Sequence, residues 1–270
     1  MIQLIALDLD GTLLDPAGQV TQATRDAVAA ARATGVRVVL STGRAVPEAV
    51  RYIREAGCDK LAVCLGGGVL ADGETGYHIR RWDIPPASAL PALELCLGRN
   101  IQLMVFAGEE ILLDPYSRDC LLQAFPSPAF HESAIVTENP ADYLRRHDLP
   151  LTKLHGDGNP AAYPLKELAA LPGVSLTSSS DHDFELVADG VHKGRALALL
   201  AMLYGVPLSQ CAAVGDSAND LGMLQAVGYP IAMGNAPDPV KAAAQYVTGH
   251  NGQDGAAQAI LHCLSLNSIH

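Results

Sequence analysis

The sequence is poor in basic residues, and those it has are scattered. Its 270 residues include 18 Lys and Arg against 29 Asp and Glu, so the formal net charge is −11 with His neutral. No basic run is longer than the pairs Arg80-Arg81 and Arg145-Arg146. Binding a nucleic-acid backbone or an anionic membrane surface needs a concentrated basic face. We therefore expect neither nucleic acid nor membrane as a partner.

The sequence also lacks the cysteine spacings of zinc ribbons and redox motifs. Its six cysteines are spread along the chain with no pair two residues apart, which is typical of reduced residues in a protein core. No apolar stretch reaches the roughly 18 to 20 residues that a membrane helix needs. The N-terminus carries no basic leader and meets an acidic residue at Asp8, so a signal peptide is not expected. These absences predict a cytoplasmic protein.

What the sequence does have is a high content of apolar residues arranged in short continuous runs. Hydrophobic residues make up 49% of the chain and charged residues 17%, the composition of a globular protein with a substantial core. Continuous runs predict strands buried on both faces, at residues 2–7, 36–40, 61–65, 211–214, 231–233 and 246–247. Helical stretches with recognisable ends lie between them, at residues 21–34, 47–56, 195–204 and 254–264. This alternation predicts an α/β fold with a doubly wound parallel sheet.

The alternation breaks in the middle of the chain. From about Trp82 to Leu186 proline is more frequent, and strand-like runs follow one another as in hairpins, with a tight turn expected at Glu109-Glu110. The expected strands are residues 101–106, 111–113, 151–154, 174–176 and 184–187. We therefore expect a catalytic α/β core made of residues 1–82 and 188–270, with a second α+β domain, residues 83–187, inserted between its halves.

Polar residues follow the predicted core strands where a parallel sheet binds its ligands, at the carboxyl ends. They are Asp8-Leu9-Asp10-Gly11-Thr12, Ser41-Thr42-Gly43-Arg44 and Gly215-Asp216-Ser217-Ala218-Asn219-Asp220, and Lys193 begins a later helix. Each alone is typical of a turn or helix cap. Together they place up to four carboxylates in one crevice, which mutual repulsion forbids unless cations compensate. Oxygen ligands of this kind select Mg²⁺ when a phosphate completes the coordination shell.

Such a crevice suits phosphoryl transfer. Asp8 would attack phosphorus and form an aspartyl-phosphate, while Asp10 would act as general acid and then as general base. Thr42, the Gly43 amide, Lys193 and the neutral Asn219 would contact the phosphate. Asp216 would ligate the metal, and Asp220 would hold Lys193 or the metal's water shell. Arg44 would either bind the anionic substrate or pair with a neighbouring carboxylate.

These four segments, in this order, resemble the motifs of the haloacid dehalogenase (HAD) superfamily, and more closely the Cof-type phosphatases with a type 2 cap. The likeness extends over the chain and includes residues 190–197, 232–236 and 254–256. It implies a Mg²⁺-dependent phosphatase of sugar phosphates or similar small phosphomonoesters, with Asp8, the Asp10 carbonyl and Asp216 on the metal. It also implies that the inserted domain is the cap that sets specificity. One departure is Gly66, where the family usually has Asn, so any contact made by that side chain is missing here.

Three other functions compete with a phosphatase. A signalling receiver also gathers acidic residues, a Ser or Thr and a Lys around Mg²⁺, but it needs neither a base such as Asp10 nor an inserted domain. A phosphosugar mutase would use the same residues and stays open. A dehalogenase of the superfamily resembles a design without Asp10 and without metal. The substrate and the oligomeric state stay undetermined.

Overall fold

The structure is a computed structural model that describes residues 1–125, 127–178 and 182–268. In these stretches the chain forms two compact units, Met1–Arg80 with His192–His270, and Arg81–Val191. The strands are β1 Leu4–Leu7, β2 Arg37–Ser41, β3 Leu61–Cys64, β4 Val69–Asp72, β5 His78–Arg81, β6 Gln102–Ala107, β7 Glu110–Leu113, β8 Ala134–Val136, β9 Leu151–Asp157, β10 Val174–Thr177, β11 Asp183–Ala188, β12 Cys211–Gly215, β13 Tyr229–Ala232 and β14 Tyr246–Val247.

Helices connect the parallel strands of the first unit, and further helices lie in the second unit. In chain order they are α1 Gln22–Ala33, α2 Val46–Ala56, α3 Pro86–Cys96, α4 Pro115–Ala124, α5 Pro128–Ser133, α6 Pro140–His147, α7 Leu165–Ala169, α8 Lys193–Leu203, α9 Leu221–Ala226, α10 Asp238–Ala242 and α11 Gly255–Asn267. In the described parts of the chain, no helix is long and apolar enough to cross a membrane.

The first unit is built on an eight-stranded sheet in the order β14-β13-β12-β1-β2-β3-β4-β5. Strands β14 to β3 are mutually parallel, and β1, at the centre, has four fully buried residues. Helix α1 packs on α11 and β2, while α8 packs on α9, β3 and β4. This mixed α/β architecture with a parallel sheet confirms the predicted fold class.

Local signals explain where the helices of the first unit begin and end. The Thr21 hydroxyl accepts a hydrogen bond from the Thr24 amide at 3.2 Å and so caps α1. Helix α2 has Pro47 in its first turn and ends at Gly57, whose φ of 72° is the left-handed conformation that glycine adopts without strain. The ends of α1 and α2 agree with the predicted boundaries to within a residue, whereas α8 begins two residues before its prediction and α11 ends three residues after its own.

All predicted strands are present, with ends shifted by up to three residues, but the sequence missed three others. Strands β4 and β5 extend the first sheet, and β4 runs antiparallel to β3, because positive φ angles at Leu65, Gly66 and Gly67 turn the chain back on itself. Strand β8 is a three-residue segment too short to show a pattern. The predicted turn at Glu109-Glu110 is also wrong by one residue. Gly108, with φ 59°, makes the turn with Glu109, and Glu110 begins β7.

The second unit has a six-stranded sheet in the order β10-β11-β9-β6-β7-β8, antiparallel except for the β7–β8 pair. One face of this sheet packs on the helices α3, α6 and α7 around an apolar cluster that includes Leu103, Leu154 and Leu186. Lys153, His155 and Glu185 alternate with these residues along β9 and β11, so they point to the opposite face. The second unit therefore separates an apolar helix-covered face from a charged one.

Candidate active site

Asp8 and the turn after it are packed against the end of β12. Asp8 directly follows β1, is 4% exposed, and its amide donates to the Val214 carbonyl at 3.0 Å. Gly11, with φ 75°, lies so close to Asp216 that a Cβ atom there would be 2.4 Å from Asp216 Oδ2. The Thr12 hydroxyl donates to Asp216 Oδ1 at 3.1 Å. Only glycine lets this turn approach Asp216, which brings the first and last acidic motifs together.

Lys193 is buried between the carboxylates of those motifs. It begins α8, is 1% exposed, and its Nζ donates to Asp8 Oδ1 at 2.6 Å, to Asp220 Oδ1 at 2.7 Å and to Asn219 Oδ1 at 3.2 Å. Gly67 makes this placement possible, because a Cβ atom there would lie 2.4 Å from the His192 carbonyl carbon and oxygen. Gly67 thus serves the close approach of the backbone that carries the lysine.

Asp220 is fully buried and uses both carboxylate oxygens within the protein. Oδ1 accepts from Lys193, and Oδ2 accepts from the backbone amides of Asp216 at 2.9 Å and Ser217 at 3.0 Å. Two roles for Asp220 were considered from the sequence, holding Lys193 or holding the metal's water shell. These contacts correspond to the first role. They also fix the backbone of Asp216, so that its side chain stays on the edge of the site.

The electrostatics of the cluster show an excess of negative charge. Burial raises the pKa of Asp8 well above its ordinary value; the charge of Asp220 adds to this, and Lys193 opposes it. Burial and the same Asp220 charge raise the pKa of Asp216 to about 6. Burial alone would lower the pKa of Lys193, but the charges of Asp220 and Asp8 raise it above its ordinary value. One lysine therefore does not neutralise the three carboxylates around it.

The donor set fits a hard divalent cation. Asp8, Asp216 and Asp220 each offer an oxygen within 4.8 Å of the others, and carboxylate oxygens are the ligands that Mg²⁺ prefers. Since Asp220 is already engaged by Lys193 and two amides, Asp8 and Asp216 are the side chains with oxygen capacity left for an ion. A bound cation would offset the charge repulsion that, added to burial, raises both of their pKa values.

Thr42 and Gly43 lie at the same edge of the sheet, because β2 pairs with β1 in register, Leu40 beside Leu7. Thr42 is buried, and its hydroxyl accepts from the Arg44 amide at 3.1 Å. A Cβ atom on Gly43 would meet no atom within 4 Å, so the backbone there borders open space. Of the two residues, Gly43 is therefore the one beside space that an anion could enter.

Arg44 lies between two carboxylates. Its guanidinium donates to Asp10 Oδ1 at 2.6 Å and Oδ2 at 2.8 Å, and to Glu48 Oε1 at 3.0 Å. Burial alone would lower the pKa of Arg44, but the hydrogen bond and charge of Asp10 raise it above its ordinary value. Of the two roles considered for Arg44, pairing with a neighbouring carboxylate is the one these contacts display.

Two residues that shape the site, Asn235 and Glu48, were given no role from the sequence. Asn235 donates to the Gly11 carbonyl at 2.8 Å and accepts from the Asn251 amide at 3.0 Å, which ties the Asp8–Thr12 turn to the loop after β13. The rule on strand ends could have found it, since Asn235 follows β13 by three residues. No sequence pattern indicates a role for Glu48, because acidic residues are common in the first turn of a helix.

A second charged cluster lies in the other unit. Lys153, 2% exposed, donates to Glu185 Oε1 at 2.6 Å, and His155 Nδ1 lies 3.4 Å from the same oxygen. Burial would raise the pKa of Glu185, but the charge of Lys153 and the contacts with His155 hold it well below its usual range. His155, Asp183 and Glu185 have the spacing of a metal site, and the Lys153 ammonium already pairs with the Glu185 carboxylate there.

Comparison with known proteins identifies the family. The family model for haloacid dehalogenase-like hydrolases matches residues 5–260. "Phosphatase YwpJ" of Bacillus subtilis is 31% identical over 286 aligned positions, which cover 97% of this chain and all of that protein. The "5-amino-6-(5-phospho-D-ribitylamino)uracil phosphatase YwtE" of the same organism is 29% identical, with 98% of this chain and 99% of that protein covered.

The solved structures agree with the sequence comparisons. A haloacid dehalogenase-like hydrolase from B. subtilis superimposes with a TM-score of 0.84 at 29% identity and covers 97% of this chain and 99% of its own. The match extends over both units, and the four motifs of the site fall within it. The resemblance drawn from the motifs is thereby confirmed: the chain belongs to the haloacid dehalogenase-like hydrolase family, as one of its phosphatases.

Proposed function

We propose that this protein hydrolyses small phosphomonoesters with Mg²⁺ through an aspartyl-phosphate at Asp8. The observation that carries the proposal is the buried contact of Asp8 Oδ1 with Lys193 Nζ at 2.6 Å, in a cluster where Asp8 and Asp216 offer carboxylate oxygens within 4.8 Å of each other. A carboxylate fixed by one oxygen presents the other to an electrophile in a defined direction. The function therefore rests on Asp8 as a positioned nucleophile.

The surrounding residues have separate tasks in this proposal. Lys193, Thr42, the Gly43 amide and Asn219 bind the phosphoryl oxygens and stabilise the charge that develops on them. Asp8, the Asp10 carbonyl and Asp216 hold the metal, which when bound supplies charge neutralisation at the phosphoryl group. Asp220 keeps Lys193 in place through the 2.7 Å contact with its Nζ.

Asp10 moves the protons. It lies two residues after the nucleophile in a turn with φ −76° and ψ 125°, and its side chain is 56% exposed, so solvent and a leaving group can reach it. In the first step it would protonate the ester oxygen as the bond to phosphorus breaks. In the second it would take a proton from the water that attacks the aspartyl-phosphate. Asp8 is regenerated and inorganic phosphate is released.

The substrate class comes from the relatives and from the inserted segment. YwtE is named for a phosphorylated ribityl compound, a small phosphomonoester with a polyol chain. We propose that residues 83–187 form the cap that recognises the non-phosphate part of such a substrate. Sugar phosphates and similar metabolites are therefore the compounds to test first. The cytoplasmic location expected from the sequence stays a prediction.

The experiment that tests the proposal is phosphate release from a panel of sugar phosphates, nucleotides, pyridoxal phosphate and p-nitrophenyl phosphate. We expect multiple turnovers with Mg²⁺, none after chelation by EDTA, and recovery when Mg²⁺ is restored. Asp8→Asn should abolish turnover without unfolding the protein, and Asp10→Asn should lower kcat by about 10²- to 10⁴-fold, the usual contribution of a general acid–base group. Turnover by Asp8→Asn would remove Asp8 as the nucleophile.

The same panel separates the alternatives that the sequence left open. A receiver-like protein would bind at most one equivalent of phosphate on Asp8 and then stop. A phosphosugar mutase would convert one sugar phosphate into its isomer without releasing phosphate, which ³¹P NMR detects directly. Either result would replace hydrolysis as the function of the site.

A further inference from the structure

The first turn of α2 holds a buried carboxylate that the proposed mechanism does not use. Glu48 is 3% exposed, and its Oε2 accepts from the Ala45 amide at 3.3 Å. Its other oxygen accepts from Arg44 Nη1 at 3.0 Å, across four residues of chain. Both oxygens of Glu48 therefore have partners, and the carboxylate is fixed to the start of the helix.

Arg44 is fixed in turn. Its side chain is 19% exposed, and its guanidinium carbon lies 5.4 Å from the centre of the Tyr52 ring, a cation–π distance. With one nitrogen on Glu48, the guanidinium directs Nε and Nη2 at the two oxygens of Asp10. A planar fork on a carboxylate fixes orientation as well as distance.

Asp10 needs such a support more than the other acidic residues do. Its side chain is 56% exposed, whereas those of Asp8 and Asp220 are 6% and 0% exposed. An exposed carboxylate on a turn samples several rotamers, and a misplaced proton donor loses most of its catalytic effect. Among the described residues, Arg44 is the only cation that forms an ion pair with Asp10.

We propose that Glu48 and Arg44 are positioning residues that hold Asp10 in the orientation for proton transfer. The proposal rests on the proposed function of Asp10. Arg44 acts through Asp10 and not on the substrate, so its loss lowers kcat and leaves KM nearly unchanged. Glu48 acts through Arg44, one step further from the reacting atoms, and its effect is smaller.

Steady-state kinetics with p-nitrophenyl phosphate and Mg²⁺ test this order of action. Since the general acid–base group contributes about 10²- to 10⁴-fold, we expect Arg44→Met to lower kcat by about 10- to 100-fold and Glu48→Gln by about 3- to 10-fold. KM should change by less than about 3-fold in both variants, because neither substitution removes a contact with the substrate. Arg44→Lys, which keeps the charge but not the fork, should fall between Arg44→Met and the wild type.

The decisive measurement is a double-mutant cycle. If Arg44 acts only through Asp10, Arg44→Met should change the residual kcat of Asp10→Asn by less than about 2-fold. An equal loss in both backgrounds would show that Arg44 acts on the reaction by itself. A rise in KM with unchanged kcat would show that it binds substrate. Either result overturns the proposal.

The chain supplies a matched control. Arg51 and Glu55 form another pair four residues apart on α2, 3.9 Å apart, and Arg51 also lies over the Tyr52 ring, at 5.3 Å. Arg51→Met and Glu55→Gln should leave kcat and KM unchanged. If they lower kcat as much as the test variants do, the cause is a general disturbance of α2 and not the loss of support for Asp10. If Arg44→Met has a lowered melting temperature, Arg44→Lys and Glu48→Gln decide the question. A wild type that releases no phosphate would instead reject the proposed function.

Discussion

Replacing Asp216 by Asn should stabilise the protein when no metal is bound. The pKa of Asp216 in the folded protein is about 6, above its ordinary 3.8, because burial and the charge of Asp220 disfavour the carboxylate. The folded state therefore binds a proton more tightly than the unfolded state. It follows that stability falls as the pH rises from about 4 to about 6, and the full cost of the charge is present above pH 6.

The magnitude follows from the shift. A pKa displaced by about two units corresponds to about 3 kcal/mol, and partial solvent exposure of Asp216 reduces this to about 1 to 2 kcal/mol. Asparagine keeps an oxygen to accept from the Thr12 hydroxyl, which now lies 3.1 Å from Asp216 Oδ1. For a unit of this size, each kcal/mol shifts the melting temperature by about 2–4 °C. We therefore expect Asp216→Asn to melt about 2–8 °C above the wild type at pH 7.5 in EDTA.

Thermal unfolding with and without Mg²⁺ measures the effect. Magnesium should raise the melting temperature of the wild type and leave Asp216→Asn almost unchanged, because the variant has lost a ligand. Asp26→Asn is the matched control, since Asp26 is an exposed carboxylate on α1 that accepts from the side-chain Nε2 of Gln22 at 2.7 Å. Its melting temperature should follow the wild type in both conditions. A metal-free Asp216→Asn that melts below the wild type would refute the charge argument.

Three further predictions concern pH and packing. In EDTA, the melting temperature of the wild type should rise as the pH is lowered from 7.5 to 5.5, and Asp216→Asn should show less of this rise; equal slopes for the two proteins would contradict the assignment. Gly67→Ala should lower both the stability of the protein and kcat, because the added Cβ would meet the His192 backbone at 2.4 Å. Gly205→Ala is the control, since Gly205 also has a positive φ, +71°, but borders open space. It should cost only about 1–2 kcal/mol of backbone strain and leave kcat unchanged. Lys153→Met should destabilise the protein by about 3–5 kcal/mol in urea unfolding, because it removes the 2.6 Å partner of Glu185, whose side chain is only 12% exposed; a change below 1 kcal/mol would show that the pair is hydrated.

The order of the motifs was enough to predict both the fold class and the family. Continuous apolar runs separated by capped helices specify a buried parallel sheet, because strands covered on both faces need no alternation. The residues that end such strands meet at one edge whatever the rest of the chain does. The sequence could therefore group four residues in advance: Asp8, Asp216, Asp220 and Lys193. In the structure Lys193 donates to Asp8 and to Asp220, and Asp220 accepts from the backbone amide of Asp216.

Other features depend on contacts that no local pattern encodes. Strands β4 and β8 are placed by the turns before them and by the strands they pair with, β3 and β7. Their segments are too short to show a hydrophobic periodicity in the sequence. The place of Arg44 was undecided from the sequence, because an Arg after a strand can face a substrate or a carboxylate. Its contacts with Asp10, 34 residues away, and with Glu48 arise only when β2 and α2 are folded against β1.

The sequence by itself determined which polar residues follow the strands of the parallel sheet, because position at a strand end is a local property. The tertiary structure decided how they are held. It buries Lys193 between Asp8 and Asp220, lets Gly11 and Gly67 approach the backbones and side chains they touch, and assigns Arg44 to Asp10. These are packing relations between residues distant along the chain, and they exist only once the core is formed.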